Sequence, residues 1–253
     1  MPIDGDITYA LARVHARHAM RPTESEWKRL AASRDIQHYL GAVREGTLAG
    51  WVSPLGTSLD SHAIERVLRD EWRRYVALVA GWHPAPCRRW IGWLQWLPWL
   101  HLLAHDAHPG EPPAWILEDP VCVALARVTG DARAAAAERT PLAPIASAFN
   151  AKASIWKAWY EHWIRLVPAG DPQSIPFWPR THQLLVGHGQ SLLDNVGAAP
   201  PRSDLARRLS RLFRLGAGTP VATLCHVLLV ALDLERLRGE LVIRALFEDG
   251  AST

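Results

Sequence analysis

The sequence predicts an all-α protein, an irregular multi-helix bundle arranged as two helical lobes, 1–108 and 109–253, or as one continuous domain. Three observations carry that expectation. Apolar residues recur at helical spacing in segment after segment. Capping residues and prolines punctuate the chain at helix-length intervals. No run of alternating β-branched residues is long enough to make a strand.

The first segment, Tyr9, Leu11, Ala12 and Val14, ends near Pro22, because proline disfavours helix in the residue before it. Thr23-Glu24-Ser25-Glu26 has the pattern of a capping box, the threonine capping the helix start and Glu26 reaching back. Trp27, Leu30 and Ala31 give that short helix its apolar stripe. Ser33-Arg34-Asp35 opens the next helix, which carries Ile36, Tyr39, Leu40 and Val43 and stops at Gly46. Gly50 to Gly56 is rich in turn residues and is expected as a loop.

Asp60 or Ser61 caps an amphipathic helix from His62 to about Ala80. Ile64, Val67, Leu68, Trp72, Tyr75, Val76 and Val79 form its apolar face; Glu65, Arg66, Arg69, Asp70, Arg73 and Arg74 occupy much of the other side. Pro84 and Pro86 close it. Pro98 and the run Pro109 to Pro113 separate a tryptophan-rich region from the second half. That half reads as helices over Pro120–Arg139, Asn150–Val167 and Thr181–Val196, with Pro168 to Arg180 as a connection. Ser203 caps a basic helix to Leu215. Thr219-Pro220 starts the last helix, with proline at its favoured first position; it runs to Phe247, with a perturbation expected near Gly239.

Nearly half of the 253 residues are apolar and about a fifth are charged, the balance of a folded chain. The formal charge of +3 is too small to predict nucleic-acid binding without a local basic patch. Cys87, Cys122 and Cys225 lie far apart without CxxC spacing, which argues against a disulfide framework or a structural zinc site and points to a reducing cytoplasm. The acidic N-terminal residues lack the pattern of a signal peptide. Trp90 to Ala104 is apolar but too short to span a bilayer, which needs ~20 residues.

Catalytic patterns fail one by one. Gly187-His188-Gly189-Gln190-Ser191 lacks a central serine and a preceding strand, so it is no nucleophile elbow. Gly216-Ala217-Gly218-Thr219 has no following lysine and cannot serve as a phosphate loop. Cys225 and His226 are adjacent, so a helix turns them ~100° apart. His101, His105 and His108 fall on one face of a continuous helix and could hold a metal with a further ligand, against the plainer reading as surface histidines. No cofactor motif is found.

Two features suit a partner instead. Arg207, Arg211 and Arg214 share a helix face opposite Leu205, Leu209, Leu212 and Phe213; this is either a solvated face or a patch for an acidic partner, nucleic acid or anionic lipid, of which a protein partner fits best, with Arg202 and Arg208 close by. Trp90, Trp93, Trp96 and Trp99 recur every third residue, which smears their rings across half a helix. They read as core, or as a docking ridge in which Trp93 and Trp96 contact a partner or the membrane interface.

At its two ends the chain resembles the d/C subunits of rotary V-type and A-type ATPases. Tyr9 to Arg17, followed by Thr23 to Leu30, is similar to the family's opening "YxxARVRA"-like helix and the short capped helix after it. Ile36 to Val43 leads to Thr47 as in the family's "L…T" segment, and Ser58 to Leu68 is similar to its "iE..L" helix. Leu229 to Arg244, with Glu235, Leu237 and Arg238, resembles its closing helix. The resemblance implies a helical, multi-lobed, non-catalytic coupling subunit that links the central stalk to the membrane c-ring. Its partners would be stalk and c-ring subunits, its place cytoplasmic and peripheral to the membrane. Family members are longer and built of three similar lobes, and the tryptophan-rich middle has no counterpart in them. The alternatives are a membrane-peripheral or protein-interaction module with another partner, and a metal-dependent helical enzyme using His101, His105 and His108. Nucleic acid is not the expected partner.

Overall fold

A computed structural model describes residues 4–56, 60–104, 112–150, 154–168, 174–194 and 202–251. Among these the chain is helical throughout, with no strand. The N-terminal half contains α1 (Asp4–Ala19), α2 (Glu24–Ala31), α3 (Ile36–Arg44), α4 (Ala49–Val52), α5 (Ser61–Trp82), α6 (Ala85–Trp93) and α7 (Leu100–Ala104). After it come α8 (Ala114–Glu118), α9 (Cys122–Leu125), α10 (Gly130–Glu138), α11 (Ile155–Leu166), α12 (Trp178–Asp194), α13 (Arg202–Leu215) and α14 (Pro220–Ala251).

Local chemistry explains four of the helix starts directly. Thr23 Oγ1 accepts from the Glu26 N–H, Asp35 from His38, Asp60 from Ala63 and Ser154 from Lys157, so four helix starts have an orphan amide satisfied by a side chain. The reciprocal half of the expected capping box is absent. Glu26 instead turns its carboxylate to the N–H and hydroxyl of Thr47, at 3.0 Å each, and so ties α2 to the turn after α3. That contact explains Gly46: a Cβ there would lie 2.5 Å from Glu26 Oε1.

Four expectations are corrected. The loop at 50–56 begins with the short helix α4. The single helix over Pro120–Arg139 is broken into α9 and α10. Gly130, the first residue of α10, has a φ of +53°, a conformation that other residues adopt only under strain. Ser203 lies inside α13 rather than at its cap, and Gly239 does not interrupt α14, whose 32 residues run on as one helix. The tryptophan-rich stretch is α6 followed by a 3-10 segment, Leu94–Trp99, whose tighter turn accommodates Pro98.

Among the described residues one core cluster runs from Ala10 in α1 to Ala245 in α14. The closing helix α14 packs along α1, α3, α5 and α13. Polar contacts fasten the same seam. Arg21 meets Asp233 at 2.7 Å, Arg236 meets Glu24 at 3.3 Å, and Arg244 donates to the Ser33 carbonyl at 2.8 Å. The far side is an aromatic layer in which Trp90 and Trp163 meet edge to face with ring centres 5.6 Å apart, while the Trp163 indole N–H donates to the Trp90 carbonyl.

Candidate functional site

The residues singled out from sequence fall in three places. Arg207, Arg211 and Arg214 are exposed on the outer face of α13, while Leu205, Leu209, Leu212 and Phe213 are buried beneath them. The arginines are not alike electrostatically. Asp204 pairs with Arg207 and, at 2.8 Å, with Arg208; the Arg207 hydrogen bond holds the Asp204 carboxyl below its ordinary range. Arg202 pairs with Glu235 of α14 at 3.3 Å. Arg211 and Arg214 have no acidic partner among the described residues and are the charges of this face free to meet an outside group.

Trp93 and Trp96 are 7% and 2% exposed, so their rings are not on the surface where a partner would meet them. The packing shows what holds them inside. The Trp93 indole donates to the Trp159 carbonyl at 3.2 Å, and Trp96 stands edge-on to Trp99. Arg73 lies over Trp99 at 4.2 Å, and Arg69 lies over Trp115 at 4.3 Å. This corrects the expected polar side of α5. Glu65 and Arg69 are buried and Arg73 is partly buried, pairing with the buried Asp119 as well as with the half-exposed Asp70 at 3.8 Å. Arg69 donates to the Pro98 carbonyl at 2.7 Å and faces Glu65 at 3.1 Å, out of line for a hydrogen bond; Arg238 from α14 bonds Glu65 as well. Burial pulls the Arg69 guanidinium down to about 10, which still leaves it charged near neutral pH.

His101 is half-buried on the wall of a cleft; His105 and His108 lie outside the described residues. Among the described residues no three metal-ligating side chains converge. The three cysteines are buried and unpaired, and burial pushes the Cys225 thiol up to about 12, far from reactivity at neutral pH.

The cleft joins these elements. It has a volume of about 130 Å³ and lies between α5, the Leu94–Trp99 segment, α7 and α11–α14. Leu68, Leu97, Trp156, Leu185, Leu205, Leu209, Leu228 and Leu232 make it apolar; Arg69, His101, Glu235 and Arg238 supply its polar atoms. The inner face of α13 is thus its wall and the outer face its arginine-bearing roof.

A second polar cluster sits where α1, α5, α13 and α14 meet. The Tyr75 hydroxyl and His226 Nε2 share a hydrogen bond of 2.6 Å. His18 stacks on Phe213 with ring centres 3.7 Å apart, and His15 bonds the Ala217 carbonyl. Burial holds His226 down to about 3 and His18 down to about 4, so both are neutral at physiological pH. The sequence reading missed Arg69, Arg238 and this cluster. The available signal was the i,i+4 pair Glu65–Arg69 on the helix before the tryptophan run.

No family model, curated protein or solved structure matches the chain. No described helix is long and apolar enough to cross a membrane.

Proposed function

We propose that the chain is a non-catalytic coupling subunit of a rotary V/A-type ATPase, a rigid helical spacer between the central stalk and the membrane c-ring. The observation that carries the reading is the packing of the chain's two ends. The opening and closing segments, which bear the family-like residues, lie some 200 positions apart in sequence and pack as one seam. Arg21–Asp233, Arg236–Glu24 and Arg238–Glu65 join them, and the last two use residues of the resemblance itself. A part that transmits torque needs such cross-braced helices and an accessible docking face rather than a reactive centre. Arg211 and Arg214 offer that face to an acidic surface on a stalk subunit.

The test is native extraction of the tagged chain followed by mass spectrometry of what travels with it. Stalk and c-ring subunits are expected, with their recovery reduced by Arg211→Glu plus Arg214→Glu. Recovery of the chain solely as an unbound monomer, or with an unrelated partner, overturns the proposal.

The exposed Arg211 and Arg214 also suit a helical interaction module with a different acidic partner, and the same experiment separates the two readings by the identity of the captured proteins.

A further inference from the structure

The cleft beneath α13 has a size and a charge balance that the coupling role does not use. Its volume, about 130 Å³, is close to the ~150 Å³ of an apolar cavity known to take a single benzene ring. A partner's helix does not fit in such a space; one ring or a short branched chain does. Its apolar walls include Trp156, Leu185, Leu209 and Leu228; its polar groups are Arg69, His101, Glu235, Arg238 and the indole of Trp156.

The charges lie unevenly around it. Arg69 and Arg238 share the single carboxylate of Glu65. Glu235 is matched by Arg202 at 3.3 Å. One guanidinium charge is therefore left over beside an apolar chamber. Arg69 is buried and committed to Glu65 and the Pro98 carbonyl. Arg238 is about a third exposed; apart from its bond to Glu65, its N–H groups meet no acceptor among the described residues. An anionic head at Arg238 would complete the balance while an apolar body filled the chamber.

We infer that this cleft binds a small monoanionic amphiphile, a carboxylate carried on one ring or a short branched chain, with Arg238 receiving the carboxylate and the leucine and Trp156 walls receiving the body. The inference goes beyond the coupling role and stands whether or not that role is correct.

Phenylacetate and its neutral isostere phenylacetamide are the probes, titrated into the full chain by calorimetry. Saturable binding of phenylacetate is expected, with the amide weaker by about tenfold because it lacks the charge-assisted bond. Arg238→Gln is expected to bring the two ligands to equal affinity. Ala231→Phe is expected to abolish binding of both by filling the chamber from α14. Leu185→Trp fills it from α12 and replaces Ala231→Phe if that variant does not give the native circular dichroism spectrum. No saturable phenylacetate binding, equal affinity for acid and amide, or unchanged affinity in a folded filling variant overturns the assignment.

Discussion

Truncation of Arg73 to alanine strands the Asp119 carboxylate in the interior. Burial raises that carboxyl's pKa, but the Cys122 N–H, the Arg73 guanidinium and the Val121 N–H together outweigh it and hold the group below its ordinary range. Arg73→Ala is expected to cost about 3 kcal/mol in urea unfolding. The double change Arg73→Ala plus Asp119→Ala should cost less than the sum of the two single changes, because the orphaned charge disappears with its partner. His226 supplies a pH dependence of known sign. In the unfolded chain it is an ordinary histidine near 6.5, whereas the folded site keeps it neutral down to about 3. Protons therefore bind the unfolded chain first, and stability falls as pH drops below 6.5. At pH 5.5 this residue alone withdraws on the order of 1 kcal/mol. Stability measured against pH in His226→Gln should fall less steeply below 6.5 than in the parent; equal slopes would contradict the buried neutral histidine.

At the scale of the element, helix starts were legible because capping is local chemistry. Asp60 accepts the Ala63 N–H at 2.6 Å just where the polar residue before an apolar-periodic run placed it. Asp60→Ala is expected to cost about 1 kcal/mol. The α9–α10 break was not legible. It depends on Gly130 adopting a positive φ, and a lone glycine in an alanine-rich stretch carries no periodic signal. Gly130→Ala should destabilise by about 1–2 kcal/mol, against the usual gain of replacing a helical glycine. The polar side of α5 misled for a different reason. Period alone marks Glu65, Arg69 and Arg73 as solvent-facing; the rings of Trp96, Trp99 and Trp115, supplied from outside the helix, receive the two arginines, and Arg69 and Arg238 hold Glu65 inside. The same tertiary dependence hid the cleft. Its walls come from separate helices, so no sequence window contained enough of it to recognise, whereas the arginine stripe of α13 was visible within one helix.

Across the whole molecule, the helical class followed from periodicity, whereas the shared core comes from tertiary packing of segments far apart in sequence. Unfolding followed by tryptophan fluorescence and by circular dichroism should give coincident single transitions, since α14 completes the packing of α1, α3 and α5. The isolated segment 1–108 should fail to reach a native-like state by near-ultraviolet circular dichroism, because Ala10, Val14, Ile64 and Leu68 lose the cover that α13 and α14 contribute.

The seam between the first and last helices also sets a clock on biosynthesis. Arg21 and Asp233 stand 212 positions apart. At about 5–20 residues per second a ribosome needs roughly ten to forty seconds to pass from one to the other. For that interval α1 can pack on α5 but the part of it that meets α14 has no native cover, long enough for chaperone capture to compete with collapse. The nascent chain must remain soluble with its opening helix waiting for its last.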